Sequence, residues 1–202
     1  MGGFSLSDYR AKRCAQALRT REAILKAAVT LSKEKGFDAM TVRDVCRRAG
    51  ITTGAFYHHF SSKDDLLYNG FATLDLHIRQ TLEGHGGDAP DERLRLILSA
   101  YVAFMEDLGW ETVARYYAMR ISHPAGEASD QHRFVHTAVL GCLLEACGGK
   151  DVAPGFSPAW TADFILRHFR GAVIDWVLCR GGYSLSQRLA QDCRLLQSAF
   201  LP

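Results

Sequence analysis

The stretch Ile51 to Leu66, ITTGAFYHHFSSKDDL, brings Tyr57, His58, His59 and Lys63 within about three helical turns. Such residues can hold a metal, move protons or grip phosphate oxygens. Adjacent histidines diverge by about 100° on a helix and cannot easily share a tetrahedral ion. His132 and His136 stand four apart, a spacing that suits a metal, but no third ligand and no glutamate of the HExxH type accompanies them. Solvated or capping roles are therefore expected for both, and no metal is assigned. Cys142 and Cys147 lie five apart on one helix and point in different directions, which disfavours a disulfide between them. No nucleophile–base–orienter set, phosphate loop or paired-carboxylate motif is visible, so the expectation is no enzyme, no catalytic residue and no cofactor.

Phosphate gripping fits the charge distribution best. Residues 1–63 carry 12 Lys and Arg against 5 Asp and Glu, a balance of +7; residues 64–202 carry 12 against 17, a balance of −5. A basic first third on an acidic remainder suggests a polyanionic partner for the first part. The hydrophobic content of 48% is ample for a buried core. No apolar run reaches the roughly 20 residues of a membrane span, and the N-terminus lacks the apolar core of a signal peptide. A cytoplasmic location with six reduced cysteines is the expectation.

The elements that must position these residues all read as helices, about nine in number. From Arg21, the residues Ile24, Ala27, Ala28 and Leu31 fall on one helical face, with Thr20 as N-cap and Gly36 as stop. Thr41 opens a second helix with Asp44 at its third position, and Val42, Val45, Cys46 and Ala49 form its inner stripe. Gly50 ends it, and Thr52 caps a short third helix with Phe56 and Phe60 on one side. Longer helices follow over about 61–83, 90–108, 111–121, 130–147, 157–180 and 184–201.

Three short helices with a glycine-containing turn before the third describe a helix-turn-helix, whose third helix would enter a DNA major groove. Thr52, Thr53 and Gly54 then occupy its leading turn, where free N–H groups can meet a phosphate and Thr53 can reach a base edge. Tyr57, His58 and His59 lie off the apolar side and can bond phosphate oxygens, with Lys63 adding a charge. Arg10, Lys12, Arg13 and Arg19 form a basic arm before the first helix, suited either to phosphate contact or to solvent.

The segment TVRDVCRRAGITTGAFYHHFSSKDDL, Thr41 to Leu66, resembles the signature of TetR-type transcriptional regulators. The match includes AGI, the Gly-x-x-Tyr of Gly54 and Tyr57, His59–Phe60 and Lys63-x-x-Leu66. Upstream, AILKAAVTLSKEKGFDAMTV is similar to that family's first helix. Cys46 and Thr52 depart mildly, where the family usually has alanine and often serine. The resemblance implies that Thr41, Thr52, Thr53, Gly54, Tyr57, His58, His59 and Lys63 contact double-stranded DNA. It also implies a helical second domain that binds a small-molecule effector and forms a homodimer through its last two helices. The expected organisation is a basic arm over 1–19, a DNA-binding domain over 20–65 and an effector-binding and dimerisation domain over 66–202.

For the dimer, two stripes offer themselves: Phe169, Ala172, Val173 and Trp176 on one helix, and Leu185, Leu189, Cys193, Leu196 and Phe200 on the other. Packing within one subunit is the alternative, but a symmetric dimer is favoured because it can place two recognition helices one or more turns of DNA apart. For an effector pocket among the many aromatics of the middle helices, Phe104, Trp110, Tyr117 and His168 are the candidates. The function expected is a repressor released from a palindromic operator by its effector. A redox- or metal-sensing regulator, or a ligand-binding protein with a vestigial DNA-binding unit, is the alternative.

Overall fold

Alternation of apolar stripes with polar caps produces ten helices among the described residues: α1 (Leu6–Lys35), α2 (Val42–Ala49), α3 (Thr53–His59), α4 (Lys63–Gly70), α5 (Ala72–Leu82), α6 (Pro90–Leu108), α7 (Trp110–Ser122), α8 (Phe134–Ala146), α9 (Pro158–Leu178) and α10 (Leu185–Phe200). The computed structural model describes the backbone of residues 6–70, 72–122 and 133–200, and the side chains of 12–67, 73–122 and 133–196. Arg10, His132 and Phe200, singled out above, have side chains outside those described. The fold is all-α, with two compact units that divide after Gly70. No described helix is long and apolar enough to cross a membrane.

The helix expected over 61–83 is described as α4 and α5, and the first helix differs from expectation at its start. The first helix already covers Leu6–Lys35, so residues 6–19 of the basic arm are helical and Thr20 is not a cap. The Thr20 hydroxyl instead donates to the carbonyl of Gln16, 3.0 Å away, inside the helix. Alanine, leucine, lysine and arginine dominate this segment, and their high helix propensity carries the helix past a weak start signal.

In the N-terminal unit, Ile24, Leu31, Val45, Phe56, Phe60 and Leu66 form a core in which Ile24, Val45 and Phe56 are fully buried. Gly50, at φ 68° and ψ 33°, takes the left-handed conformation that ends α2, and the Ile51 N–H returns to the Cys46 carbonyl at 3.0 Å. The turn this makes aims α3.

In the C-terminal unit, α6 is the centre and packs on α5, α8 and α10, while α9 packs on α7, α8 and α10. Ile97, Met105, Val139, Leu143, Ile165 and Phe169 fill the space between them. Glu106 of α6 fixes the start of α10, accepting from the Ser184 hydroxyl at 3.1 Å and the Ser186 N–H at 3.2 Å. Ser184 also caps the helix, its hydroxyl oxygen accepting from the Gln187 N–H at 3.3 Å.

The stripes expected between subunits are spent within the chain. Phe169, Val173 and Trp176 on α9, and Leu185, Leu189 and Cys193 on α10, are all buried. A burial period on a single helix does not tell which chain covers it. The large apolar residues left exposed on these two helices, among the described side chains, are others: Trp160, Ile174, Leu178 and Leu195.

Candidate nucleic-acid interface and ligand cavity

The short third helix is held from both ends. Thr52 caps it, its hydroxyl oxygen accepting from the Ala55 N–H at 3.1 Å, and Phe56 and Phe60 plant its inner side in the core. Thr52, Thr53, Gly54, Tyr57 and His58 are consequently exposed together along its outer side. Tyr57 is 59% exposed, with its ring edge-on to Phe56 at 5.3 Å. Adding a Cβ at Gly54 would meet only the Thr52 hydroxyl oxygen at 3.8 Å, so the glycine is not needed for packing inside the chain.

His59 is only partly exposed. Burial, with the nearby His58 and Arg21, pushes it below the ordinary imidazole range. At neutral pH it is an uncharged ring offering one N–H, a hydrogen-bond donor without a charge.

The second helix begins with a closed capping box. The Asp44 N–H donates to the Thr41 hydroxyl oxygen at 3.2 Å, and the Thr41 N–H donates to the Asp44 carboxylate at 3.0 Å. Lys35 at 2.6 Å and Arg47 at 2.5 Å share that carboxylate. Hydrogen bonds from Lys35 foremost and then from Thr41 hold the Asp44 carboxyl far below the usual range. Thr41 is thus an anchor of α2. Cys46 sits in the core, and its thiol, pushed up by burial, donates to the Thr52 carbonyl at 3.8 Å.

Lys63 behaves differently from the other residues of the motif. Its ammonium donates to the carbonyls of Phe37, Asp38 and Met40 at 3.0, 3.2 and 3.1 Å, and it lies 4.8 Å from the Phe37 ring centroid. An ammonium has three donors, and these bonds occupy all three. The lysine ties the start of α4 to the turn between α1 and α2. Arg43, not anticipated among the contacts, is exposed on the first turn of α2; a charge off the apolar stripe was its only sequence signal.

The C-terminal unit contains a cavity of about 210 Å³. Tyr101, Met105, Tyr116, Tyr117 and Leu166 make its apolar wall, and Arg120, Arg133 and Arg170 also line it. The Tyr101 and Tyr117 hydroxyls are hydrogen-bonded to each other, and burial pushes both phenols well up, keeping them protonated. Of the four pocket candidates, Tyr117 is at this cavity. Phe104 faces His77 at 5.9 Å, Trp110 lies against Gly181, and His168 pairs with Asp192 at 3.0 Å. Each is occupied by a neighbour elsewhere. The three arginines had no sequence signal, because they stand on or beside three separate helices and read as solvated charges.

The sensor alternatives gain little support. His136 is buried and bonds Asp163 at 3.0 Å, and no group of three or more metal-binding side chains is found among the described residues. Burial raises the thiols of Cys46, Cys142 and Cys193, the last to about 11, which keeps them protonated and slow to oxidise.

Residues 24–68 match the family model for bacterial regulatory proteins of the tetR family. The transcriptional repressor KstR of Rhodococcus jostii is 34% identical over 150 residues, 72% of this chain and 71% of that one. A solved structure described as the molecular basis for control of antibiotic production by bacterial hormones superposes with a TM-score of 0.67 at 23% identity, over 91% of this chain and 98% of its own. The regulator FadR of Bacillus subtilis, in complex with stearoyl-CoA, gives 0.57 at 19% identity, over 87% and 96%. At those identities the two structures speak for the fold alone.

Proposed function

The chain belongs to the TetR family of bacterial regulatory proteins, and from that premise we propose how its two units divide the work of a DNA-binding repressor. The exposed side of α3 is the reading surface. Tyr57 and His59 donate to phosphate oxygens and set the position of the helix, while Thr53 meets base edges. Gly54 lets the duplex come close, which accounts for a glycine that the chain's own packing does not require. Thr41, Thr52 and Lys63 act by holding the helices in place, and His58 and Arg43 extend the contact surface. The observation that carries this reading is the common exposure of Thr53, Gly54, Tyr57 and His58 on a helix pinned by Phe56 and Phe60.

The apolar residues that α9 and α10 leave outside support the docking of a second copy there. Ile174, Leu178 and Leu195 are 37%, 76% and 69% exposed, and a Cβ at Gly171 would meet nothing, leaving room for a close helix crossing. A two-fold pair of reading helices matches a palindromic operator. The cavity beside Tyr117 is the effector site. An effector lowers DNA affinity only if it binds better to the form whose helices are wrongly spaced.

The test is selection of duplexes from a random or genomic library, with Tyr57→Ala and Thr53→Ala proteins in parallel. One palindrome should emerge from the native protein. Tyr57→Ala should weaken binding to all duplexes alike, whereas Thr53→Ala should change which sequences are preferred. Equal losses with unchanged preference would undo the division of labour, and no enrichment by the native protein would undo the repressor itself.

A further inference from the structure

We propose that the cavity takes a compact organic acid, an aromatic or short-chain carboxylate, with its anionic end held among Arg120, Arg133 and Arg170. The proposal rests on the effector reading above and gives it a chemical class. Three arginines line this cavity, and among the described residues no carboxylate does. Arginine presents a planar fork that matches a carboxylate, and its charge persists at any physiological pH. Tyr101 and Tyr117 are held as neutral phenols, so the wall adds no negative charge to oppose an anion. The remaining wall, Met105, Tyr116 and Leu166, is apolar and suits a ring or a short chain.

Size narrows the class further. An engineered cavity of about 150 Å³ takes up benzene. About 210 Å³ therefore holds a ring with a short arm, or a chain of similar bulk.

Arg133 gives the acid a consequence. It stands at the start of α8 and reaches Asp75 of α5 at 3.4 Å, long for a charged pair, while the same carboxylate accepts from the Val135 N–H at 3.4 Å. A ligand carboxylate competes with Asp75 for Arg133 and loosens the link between α5 and α8. In sequence, α5 follows α4 of the N-terminal unit after one residue.

The test uses the full chain with 3-phenylpropionate and octanoate, their neutral amides, and octanoyl-CoA. Calorimetry reads binding, and fluorescence anisotropy reads release of the selected duplex. The acids should bind at least about tenfold more tightly than the amides. Arg120→Met and Arg170→Met should each weaken the acids about tenfold and leave the amides nearly unchanged. Thermal melts identify any variant that fails to fold, and Arg170→Lys, which keeps the charge, then replaces it. Asp75→Asn should strengthen acid binding several-fold by removing the competitor. Equal binding of acids and amides, no binding of either acid, indifference to the arginine substitutions, or clear preference for octanoyl-CoA would each overturn the proposal. Acids that bind without releasing DNA would leave the ligand class standing and remove the effector reading. Release by the amides alone would do the reverse.

Discussion

The two units are held by polar contacts of very different reach. In the N-terminal unit the clasps are local: Thr41 with Asp44 three residues apart, Lys35 with Asp44 nine apart, Arg48 with Glu34 fourteen apart. The C-terminal unit has local pairs too, such as His85 with Asp88, but adds clasps between distant segments: Arg93 with Glu145 across 52 residues, Arg133 with Asp75 across 58, Glu106 with Ser184 across 78. Lys63, 23 to 26 residues from its carbonyls, is the longest of the N-terminal clasps named here. A unit built from near neighbours can present a fixed reading surface. A unit joined through distant pairs can change one joint when a ligand arrives.

The contrast breaks most visibly in the cores. Phe56 and Phe169 are both fully buried, and replacing either by alanine should cost about 3–5 kcal/mol in chemical denaturation. Phe56→Ala should abolish DNA binding, because Phe56 plants the reading helix. Phe169→Ala should change ligand response first. If the two variants lose DNA binding alike, the separation of duties is wrong.

Next in size is Lys63→Met, which removes three charge-assisted bonds and should destabilise by about 2 kcal/mol. Its effect on DNA should follow its effect on stability. A duplex affinity that falls with the fold intact, together with a shallower salt dependence, would return Lys63 to the phosphate-contacting group.

Gly54→Ala sharpens the comparison because its two effects have opposite signs. The added methyl has room, and alanine favours a helix by up to about 1 kcal/mol, so stability should rise or hold. DNA binding should nevertheless fall about tenfold, read by anisotropy. Unchanged affinity would mean that nothing approaches that backbone.

The smallest effect concerns pH. His59 is held below its unfolded value, so the unfolded chain takes up the proton first as pH falls. Stability is fully present above about pH 6.5 and declines as pH drops from there through the folded value. His59→Gln should therefore lose less of its melting temperature between about pH 7 and pH 5 than the native chain.

Legibility in the sequence followed the same division. The capping box at Thr41, the left-handed Gly50 and the Thr52 cap are short-range patterns, and each is made by the residues that announce it. The start of α1 was missed because helix propensity continued past a weak cap. The α9 and α10 stripes had the right period, but their covering surface lay in the same chain. The cavity's arginines were invisible, since folding alone assembles Arg120, Arg133 and Arg170.

Helix α9 carries two apolar faces that share no residue: Phe169, Val173 and Trp176 inward, Ile174 and Leu178 outward. Changes at the outer positions therefore leave the interior untouched. Where that face seats a second copy, as proposed above, it can drift over generations into a private lock, so that regulators of one architecture cease to exchange subunits.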